Sequence, residues 1–535
     1  MNTEEVAEML ELTAQLMELH NENPFKIRSL SAAAYKLSKT RIDLEYKTQE
    51  ELEEIEGIGK GIAQKILEIK EKGITQELLD LKEKTPEGLF EMMEIKGLGP
   101  KKIRVIWKEL GIDTLGELEY ACNENRLVEL KGFGEKTQET IQKNITFYFS
   151  NRNLKHYAYA IKIAEEIQKK LQNEWPLRKI EIAGELYRRC EVISKVEFLI
   201  SGKEEILPEW TKAYGDNLIF HFCAEEDFVL KKLILSATED HVRDAGIDKL
   251  KEKQFKTEEE IYNQLHLQFV EPELREGRGE VDLSREHKIP ELIVSEDLKG
   301  VLHNHSVYSD GMNTLKEMGD YCKSQGYSYF GIADHSQSAF YANGLKPERV
   351  EEQQKEIDEL NKNYKNFKIF KGIESDILTD GKLDYSDDIL KTFDFVVASV
   401  HSNLKMDEAK ATQRLIKAIE NPYTRILGHP SGRLLLAREG YPLDYKRIID
   451  ACSANKVVIE LNAHPYRLDI DWRWIPYCME KNVLISINPD AHERQAISDM
   501  YYGICVARKG MLTKEFCLNA FTLEEFENWI LKGKK

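Results

Sequence analysis

The sequence predicts a multidomain chain with a helical amino-terminal region, an α+β middle and an α/β carboxy-terminal region. Three observations lead to this division. The 535 residues are enough for three or four domains of ordinary size. Helical apolar spacing interrupted by Gly-x-Gly turns fills residues 1–150. From residue 300 onward, short apolar runs alternate with helical segments, which is typical of βα units around a parallel sheet or barrel.

Composition and charge exclude several classes of protein. Hydrophobic residues make up 41% and charged residues 32% of the chain, as in globular proteins with an ample core. Long apolar runs and an apolar leader are missing, so we expect neither a membrane span nor a signal peptide. The eight cysteines are scattered and are typical of reduced thiols in the cytoplasm. The net charge of −18 argues against tight non-specific DNA binding, but backbone amides can still contact phosphates.

The amino-terminal region contains a repeated turn. Each copy follows an apolar residue two places upstream and precedes a helical stretch. The copies are Gly57-Ile58-Gly59, Gly97-Leu98-Gly99 and Gly132-Phe133-Gly134. Their spacing of roughly forty residues lies within the range of helical repeats.

The middle region mixes helix and strand patterns. Strands are predicted at 180–184, 196–200 and 218–222, where β-branched and aromatic residues cluster. A charged, glycine-containing stretch follows, and we place a linker around residues 275–298.

After residue 300, six apolar runs end in residues of the metal-ligand type. Because the carboxyl ends of parallel strands converge on one face of an α/β barrel, we expect these side chains to meet there. They are His303 and His305, Asp334 with His335, Glu374, His401, His429, and Asp490 with His492. One histidine after a strand is usually an ordinary core or surface residue, but six such placements together predict a metal site.

The types and number of these ligands indicate the chemistry. Imidazole and carboxylate without thiolate suit zinc, manganese or iron. A single structural zinc needs only four ligands, so we expect two or three divalent ions, with manganese or zinc as the leading choices. Such ions can bridge a phosphate, lower the pKa of water and stabilise a leaving oxygen. The sequence therefore predicts a metal-dependent phosphoesterase, for which Glu374, His401 and Asp490 are the expected catalytic residues.

These motifs resemble the polymerase and histidinol phosphatase (PHP) family. The matching segments are Leu302-His303-Asn304-His305-Ser306, Ser309-Asp310-Gly311, Ala333-Asp334-His335-Ser336, Gly372-Ile373-Glu374, Ala398-Ser399-Val400-His401-Ser402, Gly428-His429-Pro430 and Asn488-Pro489-Asp490-Ala491-His492. This sequence has a suitable residue at all nine of the family's ligand positions. The resemblance implies a distorted seven-stranded βα barrel with three ions.

The resemblance also implies how the ligands are shared. One ion takes His303, His305, Glu374 and Asp490; Glu374 bridges to a second, held with His401 and His429; Asp310, His335 and His492 hold the third. Arg433 is a candidate phosphate contact, since a guanidinium pairs well with phosphate. A salt bridge is the alternative interpretation of Arg433.

The three glycine turns resemble helix-hairpin-helix motifs. In that motif, turn amides and the following helix amino terminus bind a DNA phosphate without reading bases. The resemblance implies sequence-independent DNA binding through the residues Gly57, Gly59, Gly97, Gly99, Gly132, Gly134, Lys60 and Lys101. An ordinary helix-helix turn is the alternative for any one copy.

The order of the parts resembles bacterial family X DNA polymerases with an appended PHP domain. The resemblance implies a lyase-like domain with a helix-hairpin-helix at 1–80, a fingers-like helix-hairpin-helix region at 81–150, a nucleotidyltransferase-like palm and thumb at 151–290, and the PHP domain at 291–535. Lys65 falls where the family's Schiff-base lysine lies, although a solvated helix lysine is the alternative.

The palm departs from the family pattern, which needs a Gly-Ser turn, an Asp-x-Asp pair and a third Asp. Gly184-Glu185 stands in place of the turn, Lys195-Val196-Glu197 in place of the pair, and Ile219 at the third position. A lysine ammonium repels the cation that it should bind, and an isoleucine has no oxygen to offer. We therefore expect the polymerase site to have decayed.

The leading prediction is a cytoplasmic DNA-repair enzyme that acts as a metal-dependent phosphoesterase or 3′-5′ exonuclease on gapped DNA or 3′ ends. An active gap-filling polymerase is the first alternative, and dependence on dNTPs would distinguish it. A non-catalytic DNA-binding scaffold is the second, and loss of metal ligands would leave its role intact.

Overall fold

The computed structural model describes residues 3–39, 44, 47–123, 126–128, 130–151, 154–204, 206–214, 217–250, 253–436 and 439–533. The chain forms two compact units, 1–152 and 153–535. The predicted fold classes are confirmed: the first unit is helical, and the second holds a mixed α/β part and a parallel barrel. The domain borders predicted at residues 80 and 290 lie inside these units and stay predictions.

The first unit is built from short helices around one apolar core. Leu10, Ile66 and Ile106 are buried in that core, each on the inner face of an amphipathic helix. The helices α1 to α9 span Thr3–Leu19, Pro24–Lys39, Gln49–Glu53, Lys60–Lys72, Gln76–Glu83, Glu87–Met93, Pro100–Leu110, Leu115–Asn123 and Glu135–Asn151.

The middle region begins the second unit, and its strands lie where the sequence predicts them. The strands β1 to β5 span Lys155–His156, Ile180–Ala183, Val192–Ile193, Val196–Ser201 and Leu218–Cys223. The strands β2, β4 and β5 form one sheet, in which β4 is antiparallel to β2 and parallel to β5. The helices α10 to α15 span Tyr157–Glu174, Gly184–Tyr187, Phe228–Leu235, Glu239–Ala245, Glu258–Gln264 and Glu280–Arg285.

A parallel barrel of seven strands forms the rest of the second unit. The strands β6 to β12 span Gly300–Val301, Tyr329–Ile332, Lys368–Asp376, Phe395–Ser399, Thr424–Leu427, Val458–Asn462 and Ile485–Asn488. They lie side by side in chain order. A bridge between Asn304 and Ala491 joins the ends of the first and last strands, so the barrel is nearly closed.

Helices surround the barrel, so its strands are buried on both faces. All five residues of β9, for example, are buried, as expected for a strand covered by helices on one side and barrel interior on the other. The helices α16 to α23 span Leu315–Ser324, Pro347–Asn363, Asp387–Leu390, Glu408–Ile419, Tyr445–Asn455, Ile475–Glu480, Met500–Lys509 and Leu523–Gly533. In the described part of the chain, no helix is long and apolar enough to cross a membrane.

A buried polar joint connects the middle region to the barrel. Lys509, at the end of α22, is 3% exposed. Its Nζ donates to Oε1 of Glu276 at 2.6 Å and to the carbonyl of Arg188 at 3.1 Å. The Arg188 guanidinium donates to the same Glu276 oxygen at 3.1 Å. The joint therefore satisfies one buried ammonium with groups from two segments of the middle region.

The linker predicted around 275–298 is wrong. Arg275 is fully buried, Glu280 is 1% exposed and Ile293 is fully buried. The two Glu280 carboxylate oxygens accept hydrogen bonds from the amides of Gly277 and Arg278 at 2.9 and 2.6 Å. The charges that suggested a solvated linker are thus paired inside a packed connection.

Candidate metal centre and nucleic-acid contacts

The predicted ligands lie together at the carboxyl ends of the barrel strands. Because the strands are parallel, their carboxyl ends lie at the same face of the barrel, and so do the polar residues that follow them. In strand order, the residues are His303 and His305 after β6, His335 after β7, Glu374 within β8, His401 after β9, His429 after β10, and Asp490 and His492 after β12; Asp310 lies on the loop after β6.

Glu374 lies at the centre of this cluster. Its Oε1 is 3.2 Å from Nε2 of His303, 3.2 Å from Nε2 of His401 and 3.0 Å from Nε2 of His429. Its Oε2 is 2.9 Å from Nδ1 of His335. Glu374 itself is 1% exposed. One buried carboxylate therefore contacts four imidazoles, which is the arrangement that a bridging ligand needs.

The spacing of these atoms fits ligands of shared ions. Two donors on one ion with bonds of about 2.1 Å lie about 3.0 to 3.4 Å apart. Nε2 of His303, Nδ1 of His305 and Oε2 of Glu374 are buried and, among the described residues, make no hydrogen bond, because their close contacts lack hydrogen-bond geometry. Since buried polar atoms are rarely left without a partner, these atoms fit a site that holds cations.

The donors fall into three overlapping groups, each with ligand atoms within 4.8 Å of one another. The groups are His303, His305 and Asp490; His335, Glu374 and His401; and His305, Asp310, His335 and His492. They resemble the predicted sharing, with three differences: His305 and His335 each lie in two groups, Glu374 lies in one and not two, and His429 lies in none. His429 joins the cluster through its contact with Glu374.

A second layer of polar groups orients the imidazoles. Nδ1 of His303 lies 3.0 Å from Glu460, and Nδ1 of His401 lies 2.6 Å from Asp376. Nδ1 of His492 lies 2.9 Å from the carbonyl of Asp490. Each contact occupies one ring nitrogen and leaves Nε2 for the cluster, which is how metal-binding histidines are usually held.

Three of the predicted ligands have unusual backbone conformations. His303, His429 and Asp490 have φ angles of +55°, +21° and +52°. Non-glycine residues adopt such angles at an energetic cost, and they cluster at functional sites. Each of the three follows a strand end, where the left-handed conformation turns the side chain back into the barrel mouth.

The carboxylates and imidazoles of the cluster shift one another's pKa values. Burial alone would raise the pKa of Glu374, but the imidazoles of His401, His303 and His335 hold it well below its usual range. Burial, together with the neighbouring Arg467 charge, lowers the pKa of His429 to about 4. An ionised carboxylate and a neutral imidazole are the forms that coordinate metal ions. Despite burial, neighbouring carboxylates raise the pKa values of His303, His401 and His492, so these imidazoles must release a proton when a cation binds.

Several residues of the site were not singled out from the sequence. Glu460 and Asp376 lie inside strands. A carboxylate within a strand sequence is the feature that could have indicated them, since charged residues are rarely buried without a partner. Asp334, which the sequence pattern did place among the metal-ligand residue types, accepts hydrogen bonds from the amide and hydroxyl of Ser306 at 2.7 Å and so orders the loop that carries His305.

Arg433 is held by internal contacts, and its predicted phosphate contact stays a prediction. Its Nε donates to the carbonyl of Arg467 at 2.9 Å, its NH1 to Oδ2 of Asp471 at 2.9 Å, and its NH2 to the carbonyl of Leu468. The side chain is 17% exposed. Because all three guanidinium nitrogens are occupied, Arg433 holds the neighbouring loop, as the salt-bridge alternative predicts.

The three glycine turns share one geometry. The first glycine of each has a φ angle near +90°, namely +90° at Gly57, +88° at Gly97 and +89° at Gly132, which favours glycine. The amide of the central residue donates to the carbonyl three residues upstream at 2.9 to 3.0 Å in each copy. The central side chains of Ile58, Leu98 and Phe133 are buried, so each turn presents its backbone outward.

The second glycines stand at or next to helix starts. Gly59 and Gly99 are the residues before α4 and α7, and Gly134 precedes α9. The first amides of a helix have no intrahelical partner. A side chain added at any of these three glycines would meet no atom within 4 Å. The turns therefore leave open space where a phosphate can approach amide donors.

The predicted lysines of this unit differ in their surroundings. Lys60 is exposed at the start of α4. Lys101 is exposed and its Nζ lies 3.3 Å from Oε1 of Glu18. Lys65 forms an ion pair with Glu77, and its side chain is 24% exposed. The lyase role of Lys65 stays a prediction, and this carboxylate is its one ion-pair partner in the described part of the chain.

Glu197 and Ile219, at two of the three expected carboxylate positions of the palm, lie side by side on neighbouring strands. Glu197 on β4 pairs in register with Ala183 on β2 and with Ile219 on β5. Its Oε1 lies 3.0 Å from Nε2 of His221. Lys195 is exposed. Glu185 accepts hydrogen bonds from the amide and hydroxyl of Ser194 at 2.5 and 3.0 Å, so it folds back onto its own chain.

Comparison with known families matches both ends of the chain. A "Helix-hairpin-helix domain" profile matches residues 1–74, and a "SAM-like Helix-hairpin-helix tandem" profile matches residues 89–145. A "PHP domain" profile matches residues 302–464. The glycine turns and most of the metal cluster lie within these matches, which support DNA binding by the first unit.

Comparison with individual proteins covers the whole chain. The "DNA polymerase/3'-5' exonuclease PolX" of Bacillus subtilis is 33% identical over the full length of both chains. A probable phosphatase of Caldanaerobacter subterraneus is 30% identical over 30% of this chain and 60% of its own length, and one of Acetivibrio thermocellus is 29% identical over 31% of this chain and 65% of its own. Since the first likeness is full-length, the chain belongs to the bacterial family X DNA polymerases that carry a PHP domain.

Proposed function

We propose that this protein is a metal-dependent phosphoesterase that acts on DNA ends as a 3′-5′ exonuclease in repair, and that its polymerase activity has been lost. The observation that carries the proposal is the position of Glu374, whose two oxygens lie within 3.2 Å of four imidazoles. The relatives named as an exonuclease and as probable phosphatases support hydrolysis of a phosphoester at this site.

The chain's own residues have distinct roles in this proposal. His303, His305, Asp310, His335, Glu374, His401, His429, Asp490 and His492 would hold two or three divalent ions, with manganese or zinc best suited to such donors. These ions would supply charge stabilisation to the phosphate and a lowered pKa to water. Glu374 links the donor groups, and the carboxylates of Glu460 and Asp376 fix the ring orientations of His303 and His401.

The middle region supports the loss of nucleotidyl transfer. Two-metal transfer needs carboxylates that hold both ions about 4 Å apart. Glu197 is flanked by Ala183 and Ile219 in the strand register, so neither neighbour supplies an oxygen ligand. Its own carboxylate is bound to His221. The exposed ammonium of Lys195 adds repulsion toward cations.

The first unit would bring the protein to DNA. Outward-facing turn amides at Gly57, Gly97 and Gly132 support weak, sequence-independent contacts with the phosphates of gapped DNA or 3′ ends. Lys60 and Lys101 would add local positive charge despite the acidic chain. We place the protein in the cytoplasm, where its eight free cysteines would stay reduced.

One reaction tests the proposal. Gapped DNA labelled at the 5′ end of the primer is incubated with Mn²⁺, with and without dNTPs, using the wild type and His401→Ala. We expect shortening of the primer that needs the metal and does not need dNTPs. The shortening should disappear in His401→Ala and persist in His287→Ala, a matched histidine exposed on the middle region.

The other outcomes separate the alternatives. Extension that depends on dNTPs and survives in His401→Ala would overturn the loss of polymerase activity. DNA binding with neither shortening nor extension would favour a scaffold. Metal analysis that finds no bound transition metal, together with no hydrolysis after manganese is added, would overturn the phosphoesterase.

A further inference from the structure

The loop after β11 carries an arginine to the edge of the metal cluster. Nε of Arg467 lies 3.7 Å from Oδ2 of Asp490, and the side chain is 19% exposed. The guanidinium therefore lies beside one of the predicted ligands.

Arg467 has free donors, unlike Arg433. Its backbone is held firmly, because its amide donates to the carbonyl of His464 at 2.8 Å and its carbonyl accepts from Nε of Arg433 at 2.9 Å. Asp490 is the one ion-pair partner of its guanidinium within the described ranges, at a distance too long for a hydrogen bond. A guanidinium with unused donors on a well-held backbone is suited to a phosphate oxygen.

The adjacent Tyr466 offers a different surface. Tyr466 is 51% exposed, and its ring lies against the imidazole of His156, with ring centroids 4.2 Å apart. The ring of His464 stands edge-on to it, with centroids 5.4 Å apart. Nε2 of His156 also lies 2.9 Å from the carbonyl of Leu435, and the amide of Leu435 donates to the carbonyl of Tyr466 at 2.6 Å. The middle region thus holds the tyrosine in place and leaves part of its ring open.

A half-exposed aromatic ring that is held by its neighbours is a surface on which a nucleic-acid base can stack. The base and the phosphate of one nucleotide are joined through a single sugar, so two adjacent residues on one turn can meet both. A small phosphate ester would use the arginine alone. The pair therefore favours a substrate that has a base next to the reacting phosphate.

We propose that Tyr466 and Arg467 form a nucleotide subsite for a single-stranded 3′ end, in which Arg467 contacts the reacting phosphate and Tyr466 stacks on the terminal base. The subsite rests on the proposed phosphoesterase function and names the part of the substrate that the protein recognises. His156 of the middle region is a positioning residue for Tyr466, so this region contributes to the barrel's specificity.

The test compares two single-stranded oligonucleotides that differ only in the 3′-terminal nucleotide, which carries thymine in one and is abasic in the other. Rates with Mn²⁺ are measured for the wild type, Tyr466→Ala, Tyr466→Phe and Arg467→Lys, and bound metal is measured for each protein. Tyr159→Ala and Arg447→Lys are matched controls, because both side chains are exposed on helices of the same unit.

We expect the wild type to prefer the thymine end by at least about fivefold in kcat/KM, mainly through KM. Tyr466→Ala should remove this preference and Tyr466→Phe should keep it. Arg467→Lys should lower kcat/KM about tenfold or more on both oligonucleotides, because a lysine does not reproduce the two-donor contact, while bound metal stays unchanged.

Other results would overturn the subsite. Equal losses on both oligonucleotides in Tyr466→Ala would mean that the ring only supports the fold. An unchanged rate in Arg467→Lys, or a loss that follows a loss of bound metal, would exclude the phosphate contact. If the wild type cuts neither oligonucleotide, the phosphoesterase function itself fails; if it cuts both alike, only the base contact fails.

Discussion

Both carboxylate oxygens of Glu460 lie 3.0 Å from Nδ1 of His303. Glu460 is fully buried within β11 and also accepts a hydrogen bond from the amide of His429 at 3.2 Å. Because Nδ1 of His303 donates to this carboxylate, its Nε2 keeps a lone pair toward Glu374. One buried glutamate therefore orients two predicted ligands from behind.

Replacing this glutamate should weaken metal binding without removing a ligand. For Glu460→Gln we expect metal affinity about 10-fold to 100-fold lower, because groups that orient metal-binding histidines contribute about that much. Hydrolysis should recover in part when the metal concentration is raised. Glu480→Gln, an exposed glutamate on α21, is the control, and metal titration is the measurement. Equal affinities for Glu460→Gln and the wild type would contradict the orienting role.

Loss of the central carboxylate should have a larger effect. For Glu374→Ala we expect hydrolysis to fall by at least about a hundredfold, because Glu374 contacts donors of more than one group and ligand-sphere losses cost about tenfold or more each. Added metal should not restore it. The measurements are bound metal per chain and primer shortening, with the exposed Glu348→Ala as control. Full metal content and full activity in Glu374→Ala would contradict the role of Glu374 as a bridging ligand.

The glycine turns should bind DNA weakly and with a shallow dependence on salt. Few lysines flank the turns, so few counterions are released on binding. In the full chain without divalent metal, Lys60→Ala should weaken binding to gapped DNA and reduce the slope of log affinity against log salt by about 1. Lys82→Ala, exposed on α5, should change neither value. A slope as steep in Lys60→Ala as in the wild type would argue against a phosphate contact at this turn.

The polar joint should make stability depend on pH through Glu276. Burial opposes its ionisation, but Lys509 and Arg188 hold its pKa below the usual 4.5. A carboxyl with a lowered folded pKa stabilises the fold fully above its unfolded pKa, and this contribution is lost as pH falls through the folded value. Glu276→Gln should therefore lower the free energy of unfolding at pH 7 by about 1 to 3 kcal/mol, and by less near pH 4.

Urea unfolding of the wild type and Glu276→Gln at both pH values measures this difference. Glu351→Gln, whose exposed carboxylate pairs with Lys355 on α17, should unfold like the wild type at pH 7. A difference between Glu276→Gln and the wild type that grows on acidification would reverse the assigned sign.

The sequence predicted what local patterns determine. The barrel strands and the clustering of His303 with Glu374 and Asp490 follow from period, length and residue type. The hydrogen-bond partners of these ligands could not be predicted from local patterns. Glu460 is 157 positions from His303, and only the folded barrel brings the two together. Arg433 was assigned by residue type alone, and its occupied donors are visible only in three dimensions.

The prediction of a linker at 275–298 failed for a related reason. Charge and glycine are usual signs of a solvated segment. Here the charge of Arg275 is neutralised by Glu258, whose Oε2 lies 2.5 Å from its NH2, and both partners lie in a packed interior. Composition gives the number of charged residues in a segment, but it does not show whether each of them has an ion-pair partner in the folded protein.

The joint at Lys509 has a consequence for how this chain can change over evolutionary time. Its ammonium is buried by groups of the middle region, so a shortened gene that encoded only the barrel would leave an exposed, mismatched surface at the end of α22. If the polymerase site has been lost as proposed, selection can keep the surrounding polypeptide for this packing role. By this reasoning, the middle region is retained because it packs against the barrel. Its packing residues should therefore vary less among related sequences than Lys195 or Ile219.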